Sequence, residues 1–204
     1  MRIIAGEWKG HRLIAPKGKG IRPTADMVRE AMFDVLSARV PGARVLDLFA
    51  GTGALGLEAL SRGATHVTWV DQEPRSIDGI HENLEKLKAL RSCCEVLNMP
   101  AAAALRRFAK TERQFDLIFV DPPYESGLYE ETLLAMAMSR VLAPDGIVAV
   151  EHARRYQVAA NYGDLLQFKD RRYGETCVAW FRRGVRETEP AEAAGGEGNP
   201  EEVS

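Results

Sequence analysis

Cysteine is scarce: the chain has 204 residues and three cysteines. Cys93 and Cys94 are neighbours and Cys177 stands alone, with no CxxC and no Cys/His cluster at zinc spacing. That excludes a disulfide framework and predicts reduced thiols with no structural metal. Histidine is scarce as well. His11, His66, His81 and His152 are scattered without metal spacing and read as surface or internally satisfied side chains. No apolar run approaches the roughly 20 residues that span a bilayer. The opening Met1-Arg2-Ile3-Ile4-Ala5-Gly6 lacks the charged-then-apolar layout of a signal peptide. A cytoplasmic protein without membrane association is expected. Charge bias is also small, with a formal net charge of -2.

What is present is an ordinary globular balance, 46% hydrophobic and 27% charged, long enough for one domain with a sizeable core. The charge is unevenly distributed. Residues 185–204 contain six acidic side chains and one basic, and residues 1–184 therefore carry a net +3, from 26 basic and 23 acidic residues. The stretch from Glu187 to Ser204 is rich in Glu, Ala, Gly and Pro, and it reads as a disordered acidic tail, assigned to residues 185–204. Residues 1–30 hold seven basic side chains (Arg2, Lys9, Arg12, Lys17, Lys19, Arg22 and Arg29) against three acidic ones. A basic concentration of this kind permits a nucleic-acid partner, although a solvated basic face accounts for it equally well.

Arg2-Ile3-Ile4 and His11-Arg12-Leu13-Ile14 read as short strands of a hairpin whose turn is bracketed by Gly6 and Gly10. Residues 1–23 form the expected N-terminal extension and residues 24–184 the main domain. Thr24 is placed to cap a helix whose apolar face is Val28, Ala31, Met32, Val35 and Leu36. Beyond Pro41-Gly42, strand and helix alternate. Strands are predicted at 44–48, 66–70, 94–97, 115–120 and 146–150. Helices are predicted at 53–60, around Ile77 to Leu87, at 101–108 and at 128–138. This order implies an α/β fold with a mostly parallel sheet covered on both faces. Residues 165–181 read as a terminal antiparallel hairpin around Tyr173-Gly174. Trp69 and Trp180, in predicted strands, are assigned to the core, and Trp8 to the hairpin turn.

The first strand runs into Asp47-Leu48-Phe49-Ala50-Gly51-Thr52-Gly53-Ala54-Leu55-Gly56. Gly51 and Gly53 allow a tight turn and a close approach of ligand to backbone. Asp71, twenty residues after Gly51, ends the second strand, where a carboxylate can accept hydrogen bonds from two ribose hydroxyls. The glycine pattern alone also fits a dinucleotide. Asp47 favours S-adenosylmethionine, because an acid suits its ammonium and sulfonium and opposes a pyrophosphate.

Asp121-Pro122-Pro123-Tyr124 follows the apolar strand 115–120 and carries the chemistry. Two prolines remove two backbone donors and stiffen the turn. Asp121 and the Pro122 carbonyl can then accept both hydrogens of one NH2 group, while Tyr124 offers a face on which a base stacks. An exocyclic amine is a poor nucleophile because its lone pair delocalises into the ring. Two acceptors localise that pair, and in-line attack on a sulfonium methyl then needs mainly positioning.

The segments Arg2-Ile3-Ile4-Ala5-Gly6, Arg22-Pro23-Thr24-x-Asp26-x-Val28-Arg29-Glu30-Ala31-x-Phe33, Leu46 to Leu60 and Asp121-Pro122-Pro123-Tyr124 together resemble the RsmD-type bacterial 16S rRNA guanine-N2 methyltransferases over residues 1–183. The resemblance implies a class I, Rossmann-like methyltransferase sheet with an N-terminal RNA-docking hairpin. It also implies transfer of a methyl group from S-adenosyl-L-methionine to a guanine N2 of 16S rRNA in the small ribosomal subunit; the oligomeric state is open, with a monomer as the default. Carried onto this chain, Asp47, Phe49, Gly51, Gly53, Asp71 and Asn98 bind cofactor. Asp121, Pro122, Pro123 and Tyr124 serve the base. Arg12, Lys17, Arg22, Thr24 and Arg29 meet RNA, with internal pairing of Arg29 to Asp26 or Glu30 as the alternative. One departure stands out: Pro100 occupies the slot where such enzymes carry a polar residue for the adenine amine. Asn98, or backbone and apolar contacts, must replace it. The same Asp-Pro-Pro-Tyr chemistry serves DNA adenine-N6 methylases, but 204 residues show no separate target-recognition domain. A non-catalytic RNA-binding protein of this fold is a further alternative.

Overall fold

A computed structural model of the chain describes residues 1–14, 23–123 and 128–184, with the side chains of 23–25 left aside. The expected acidic tail, the Pro/Gly/Lys stretch, Lys17, Arg22, Tyr124 and the side chain of Thr24 lie outside the described residues. The strands are β1 (Arg44–Asp47), β2 (His66–Asp71), β3 (Cys94–Asn98), β4 (Phe115–Val120), β5 (Leu142–Ala153), β6 (Asn161–Tyr162), β7 (Leu165–Tyr173) and β8 (Thr176–Arg183). The helices are α1 (Pro23–Leu36), α2 (Ala54–Ser61), α3 (Pro74–Lys86), α4 (Ala101–Lys110) and α5 (Leu128–Ser139).

All eight strands form one sheet in the order β3-β2-β1-β4-β5-β8-β7-β6. β1 to β5 run parallel, and β8, β7 and β6 add antiparallel pairs at one edge. This is the mostly parallel α/β sheet with a terminal antiparallel hairpin that the alternating pattern predicts. The strands are apolar on both sides because both sides are covered. Val45, Leu117, Phe119 and Trp180 join Met32, Phe33, Leu57 and Ile80 in one core beneath α1, α2 and α3. Leu46, Ile118, Val120 and Phe181 face the other way, packing with Leu105, Phe108, Leu133 and Met136 of α4 and α5. Each such side chain contributes about 1.5–3 kcal/mol on burial. Trp69 and Trp180 are both fully buried, as core residues. No helix among the described residues is long and apolar enough to cross a membrane.

Three local expectations change. α1 starts at Pro23, so Thr24 lies inside its first turn rather than at its cap. Proline favours this first helical position because it has no N–H to leave unpaired. β5 extends on both sides of the predicted 146–150, to Leu142–Ala153, with an irregularity in its pairing to β4. The N-terminal hairpin forms a single antiparallel bridge, Arg2 to Arg12, instead of two strands. Its ladder stops because the next backbone donors turn inward: the Ile4 and Ala5 N–H groups donate to the Glu58 carboxylate at 2.8 and 2.9 Å. Ile3 and Leu13 nonetheless reach the core, which fixes the hairpin to the domain.

Candidate active site

The chain reverses its direction of sheet growth between β1 and β4. From β1 it adds β2 and then β3 on one side, while β4 and β5 lie on the other. Diverging connections open a crevice at the carboxyl ends of the two central strands. Asp47 is in register with Phe119, and the Leu48 N–H donates to the Phe119 carbonyl at 3.1 Å. The glycine turn after β1 and the Asp121-Pro122-Pro123 segment after β4 therefore leave the sheet side by side.

Backbone geometry explains the glycines. Gly51 has φ +53° and Gly53 φ +74°, the left-handed region in which a side chain is strained. A Cβ on Gly53 would also come within 2.8 Å of Ile80. Gly53 is the N-cap of α2, and its carbonyl accepts the Leu57 N–H at 2.8 Å.

Carboxylates hold this turn in place. Asp71, half-buried at the end of β2, accepts the Gly51 N–H at 2.7 Å and the Glu73 N–H at 2.8 Å, one on each oxygen. Each oxygen keeps a further lone pair for a ribose hydroxyl. Asp47 is only 2% exposed and accepts the Gly56 N–H at 2.9 Å. Burial pushes its carboxyl up to about 7; the Gly56 hydrogen bond opposes the shift and the nearby Asp71 charge adds to it. Asp47 thus braces the turn from beneath, through the Gly56 N–H. The Phe49 ring is half-buried against the core on the α4–α5 side.

At the end of β3, Asn98 is exposed, and its Nδ2 donates to the Asp71 and Gln72 carbonyls, both at 3.0 Å. Its amide oxygen is left as an acceptor, the polarity that an adenine amine requires. Pro100 stands as the N-cap of α4, and its carbonyl accepts the Ala103 and Ala104 N–H groups. The residue at the unusual position is therefore used to start a helix.

After β4, Asp121 is half-buried, Pro122 buried and Pro123 exposed. Tyr124 lies outside the described residues. Of the basic set, Arg12 is exposed, and its carbonyl accepts the Lys86 Nζ at 2.7 Å. Arg29 does not belong with it. It is 4% exposed, donates to the Arg2 carbonyl at 2.5 Å, pairs with Asp26 at 3.0 Å and lies 3.8 Å from Glu58. Burial lowers its pKa, and Asp26 and Glu58 oppose that shift. The internal alternative holds, and no part of Arg29 is offered to a phosphate.

Glu58 is the residue the sequence reading passed over. It is fully buried in α2. Besides the Ile4 and Ala5 N–H groups, it accepts Arg62 Nε at 2.7 Å. Ser61, one turn on, donates to the Ala5 carbonyl at 2.7 Å and accepts the Trp8 N–H at 3.0 Å. Asn83 of α3 completes the clamp. Its Oδ1 accepts the Ile14 N–H at 2.8 Å, and its Nδ2 donates to the Ile14 carbonyl at 3.0 Å and the Thr52 carbonyl at 3.4 Å. The hairpin is thus tied to the glycine turn itself. One clue was available: α2 reads ALGLEALS. A charged residue in a helix apolar all round must be buried and paired.

Known proteins resemble this chain in sequence and in fold. The family model described as "Conserved hypothetical protein 95" matches residues 1–182. The ribosomal RNA small subunit methyltransferase D of Escherichia coli strain K12 is 40% identical over 151 residues, 74% of this chain and 74% of its own. The Haemophilus influenzae protein of the same name is 35% identical over 151 residues, 74% of this chain and 78% of its own. The solved structure of a Thermus thermophilus hypothetical protein superposes with a TM-score of 0.77 and 27% identity, covering 89% of this chain and 99% of that one.

Proposed function

The chain belongs to the family described as conserved hypothetical protein 95, that of the ribosomal RNA small subunit methyltransferases D, and from that premise we propose that it methylates the exocyclic N2 of a guanine in 16S rRNA, using S-adenosyl-L-methionine. One observation carries the reading: an acceptor-rich Asp-Pro-Pro turn and a carboxylate-braced glycine turn leave adjacent strands at the topological switch point. The first suits an amine and the second a nucleoside.

The residues fit the cofactor. Asp71 offers two oxygens to the ribose hydroxyls, Asn98 an acceptor to the adenine amine, and the turn at Gly51 and Gly53 admits the ligand close to the backbone. Asp47, beneath that turn, supplies negative charge toward the ammonium through the α2 terminus. When bound, the cofactor supplies a methyl group on a cationic sulfur, activated for in-line displacement.

The protein's work is positional. Asp121 and the Pro122 carbonyl accept the two N–H bonds of the guanine amine, turning its nitrogen lone pair toward the methyl. Asp121 orients rather than abstracts, and the amine proton leaves after transfer. Tyr124 is the stacking platform. Arg12, with Lys17, Arg22 and Thr24, meets the RNA backbone and brings the guanine over the crevice. A small-subunit particle as the form of substrate, and a monomeric enzyme, complete the reading.

Tritium-labelled S-adenosylmethionine tests it. The protein is offered naked 16S rRNA, small subunits lacking the modification, and duplex DNA, and the labelled nucleoside is identified after digestion. Label in N2-methylguanosine of small-subunit rRNA is expected. Label in N6-methyladenine of DNA would keep the chemistry and overturn the substrate. No label, with cofactor binding intact, would leave an RNA-binding protein without catalysis.

A further inference from the structure

The antiparallel edge of the sheet gathers three side chains that methyl transfer does not use. His152 lies near the end of β5 and is in register with Cys177 of β8. Cys177 is in register with Arg172 of β7. Asp170, two residues from Arg172, shares that face of the sheet. A ring nitrogen of His152, a carboxylate oxygen of Asp170 and the Cys177 sulfur all lie within 4.8 Å of one another. His152 is 4% exposed and Cys177 8%. Asp170 is exposed and opens the cluster to solvent.

The imidazole carries the second observation. Its Nδ1 faces the Tyr156 carbonyl at 3.1 Å and the Ala153 carbonyl at 3.3 Å. Carbonyls only accept, so Nδ1 holds the proton and Nε2 holds the lone pair. That Nε2 is buried and has no hydrogen-bond partner among the described residues. Leaving a buried acceptor unpaired costs about 1–3 kcal/mol. A backbone carbonyl on one imidazole nitrogen is also the arrangement that orients a metal-ligating histidine through the other.

We propose that His152, Asp170 and Cys177 form a binding site for a borderline divalent cation of the zinc type, with water as the fourth ligand. A nitrogen, a sulfur and a single carboxylate suit zinc or cobalt and do not suit the all-oxygen preference of magnesium or calcium. Binding breaks the Cys177 S–H bond, forms the metal–sulfur bond and releases the proton to water. Burial raises the Cys177 thiol and the Asp170 charge raises it further, whereas the Arg172 and Arg154 guanidiniums favour the thiolate. The charge of Arg154 is itself partly balanced by Glu175 at 3.7 Å. Once bound, the cation clips β5, β7 and β8 together. The site is independent of the proposed methyl transfer and is tested without it.

The full chain, freed of metal by chelator, is titrated with Co2+. About one equivalent is expected to produce a near-ultraviolet thiolate-to-cobalt charge-transfer band and visible bands of a tetrahedral site, all displaced by Zn2+. Cys177→Ser is expected to lose the charge-transfer band, and His152→Ala and Asp170→Asn to weaken Co2+ binding at least about tenfold. Should Cys177→Ser or His152→Ala fail to fold, the exposed Asp170→Asn variant carries the test alone. Absence of a thiolate band at equimolar Co2+ overturns the site. So does a band that persists in folded Cys177→Ser, which would belong to Cys93 or Cys94, or unchanged Co2+ affinity in Asp170→Asn.

Discussion

The two turns that form the crevice achieve their shapes by opposite means. The turn after β1 uses glycines, whose freedom permits left-handed backbone but does not enforce it. Its geometry must be imposed from outside, and Asp47, Asp71 and Asn98 all bond to backbone within it or beside it. The turn after β4 uses prolines, whose rings fix φ within the chain and remove donors. There the acid, Asp121, is half-buried, whereas Asp47 is sealed beneath its turn. The contrast sharpens the proposed function: in it the carboxylates of the glycine turn hold shape and face the cofactor, and the carboxylate of the proline turn serves the substrate.

Breaking the proline side is expected to have the largest effect. Asp121→Ala abolishes methylation in the tritium assay and leaves cofactor affinity within about tenfold, or about 1.4 kcal/mol, by calorimetric titration with S-adenosylhomocysteine. A fully active variant would sink the assigned role. Next comes the clamp under the glycine side. Glu58→Ala leaves the Ile4 and Ala5 donors and the Arg29 and Arg62 cations without their buried acceptor. A loss of about 3–5 kcal/mol is expected in denaturant unfolding. A loss under about 1 kcal/mol, the worth of a surface pair, would show that the hairpin is not anchored there.

Asp71→Asn sharpens the comparison at smaller cost. The amide keeps one acceptor oxygen and replaces the other with a donor facing a backbone N–H. About 1.5–3 kcal/mol of charge-assisted hydrogen bonding is at stake. S-adenosylhomocysteine affinity is expected to fall roughly 10- to 150-fold. Turnover at saturating cofactor should change little, the reverse of Asp121→Ala. Equal loss in both measurements would erase the division between the turns.

Much of this was legible because it is local. Strand–helix alternation, Gly51 and Gly53, and the Asp-Pro-Pro turn are all written in neighbouring residues, where periodicity and turn chemistry operate. What escaped is long-range. The carboxyl of Glu58 meets backbone 54 residues away, and Asn83 meets Ile14 across 69. Neither spacing leaves a pattern in sequence. Arg29 had its helical neighbour Asp26 in view at i−3, but its burial depends on the hairpin folding back over α1. His152 and Cys177 read as isolated residues because only the register of three strands brings them beside each other and Asp170. Pro100 looked like a defect in a binding slot and is the start of a helix.

Proton linkage at Asp47 gives the smallest effect and the most direct test of a carboxylate sealed under the turn. Its carboxyl, pushed up to about 7 by burial, sits above the ordinary value of 3.8 that the unfolded chain retains. Between those values the folded protein holds a proton that the unfolded chain has released. The Asp47 contribution to stability is therefore fully present below about pH 4 and is lost as pH rises through about 7. A cationic ligand on the turn favours the ionised form and draws the proton off. S-adenosylhomocysteine, whose ammonium supplies that charge, should accordingly bind several-fold tighter at pH 8 than at pH 6, with proton release between them. In Asp47→Asn, the calorimetric affinity should be flat across that window, because the only titration removed is the one beneath the glycines. A pH dependence that survives the substitution would place the titrating group elsewhere in the crevice and return Asp47 to a purely structural role.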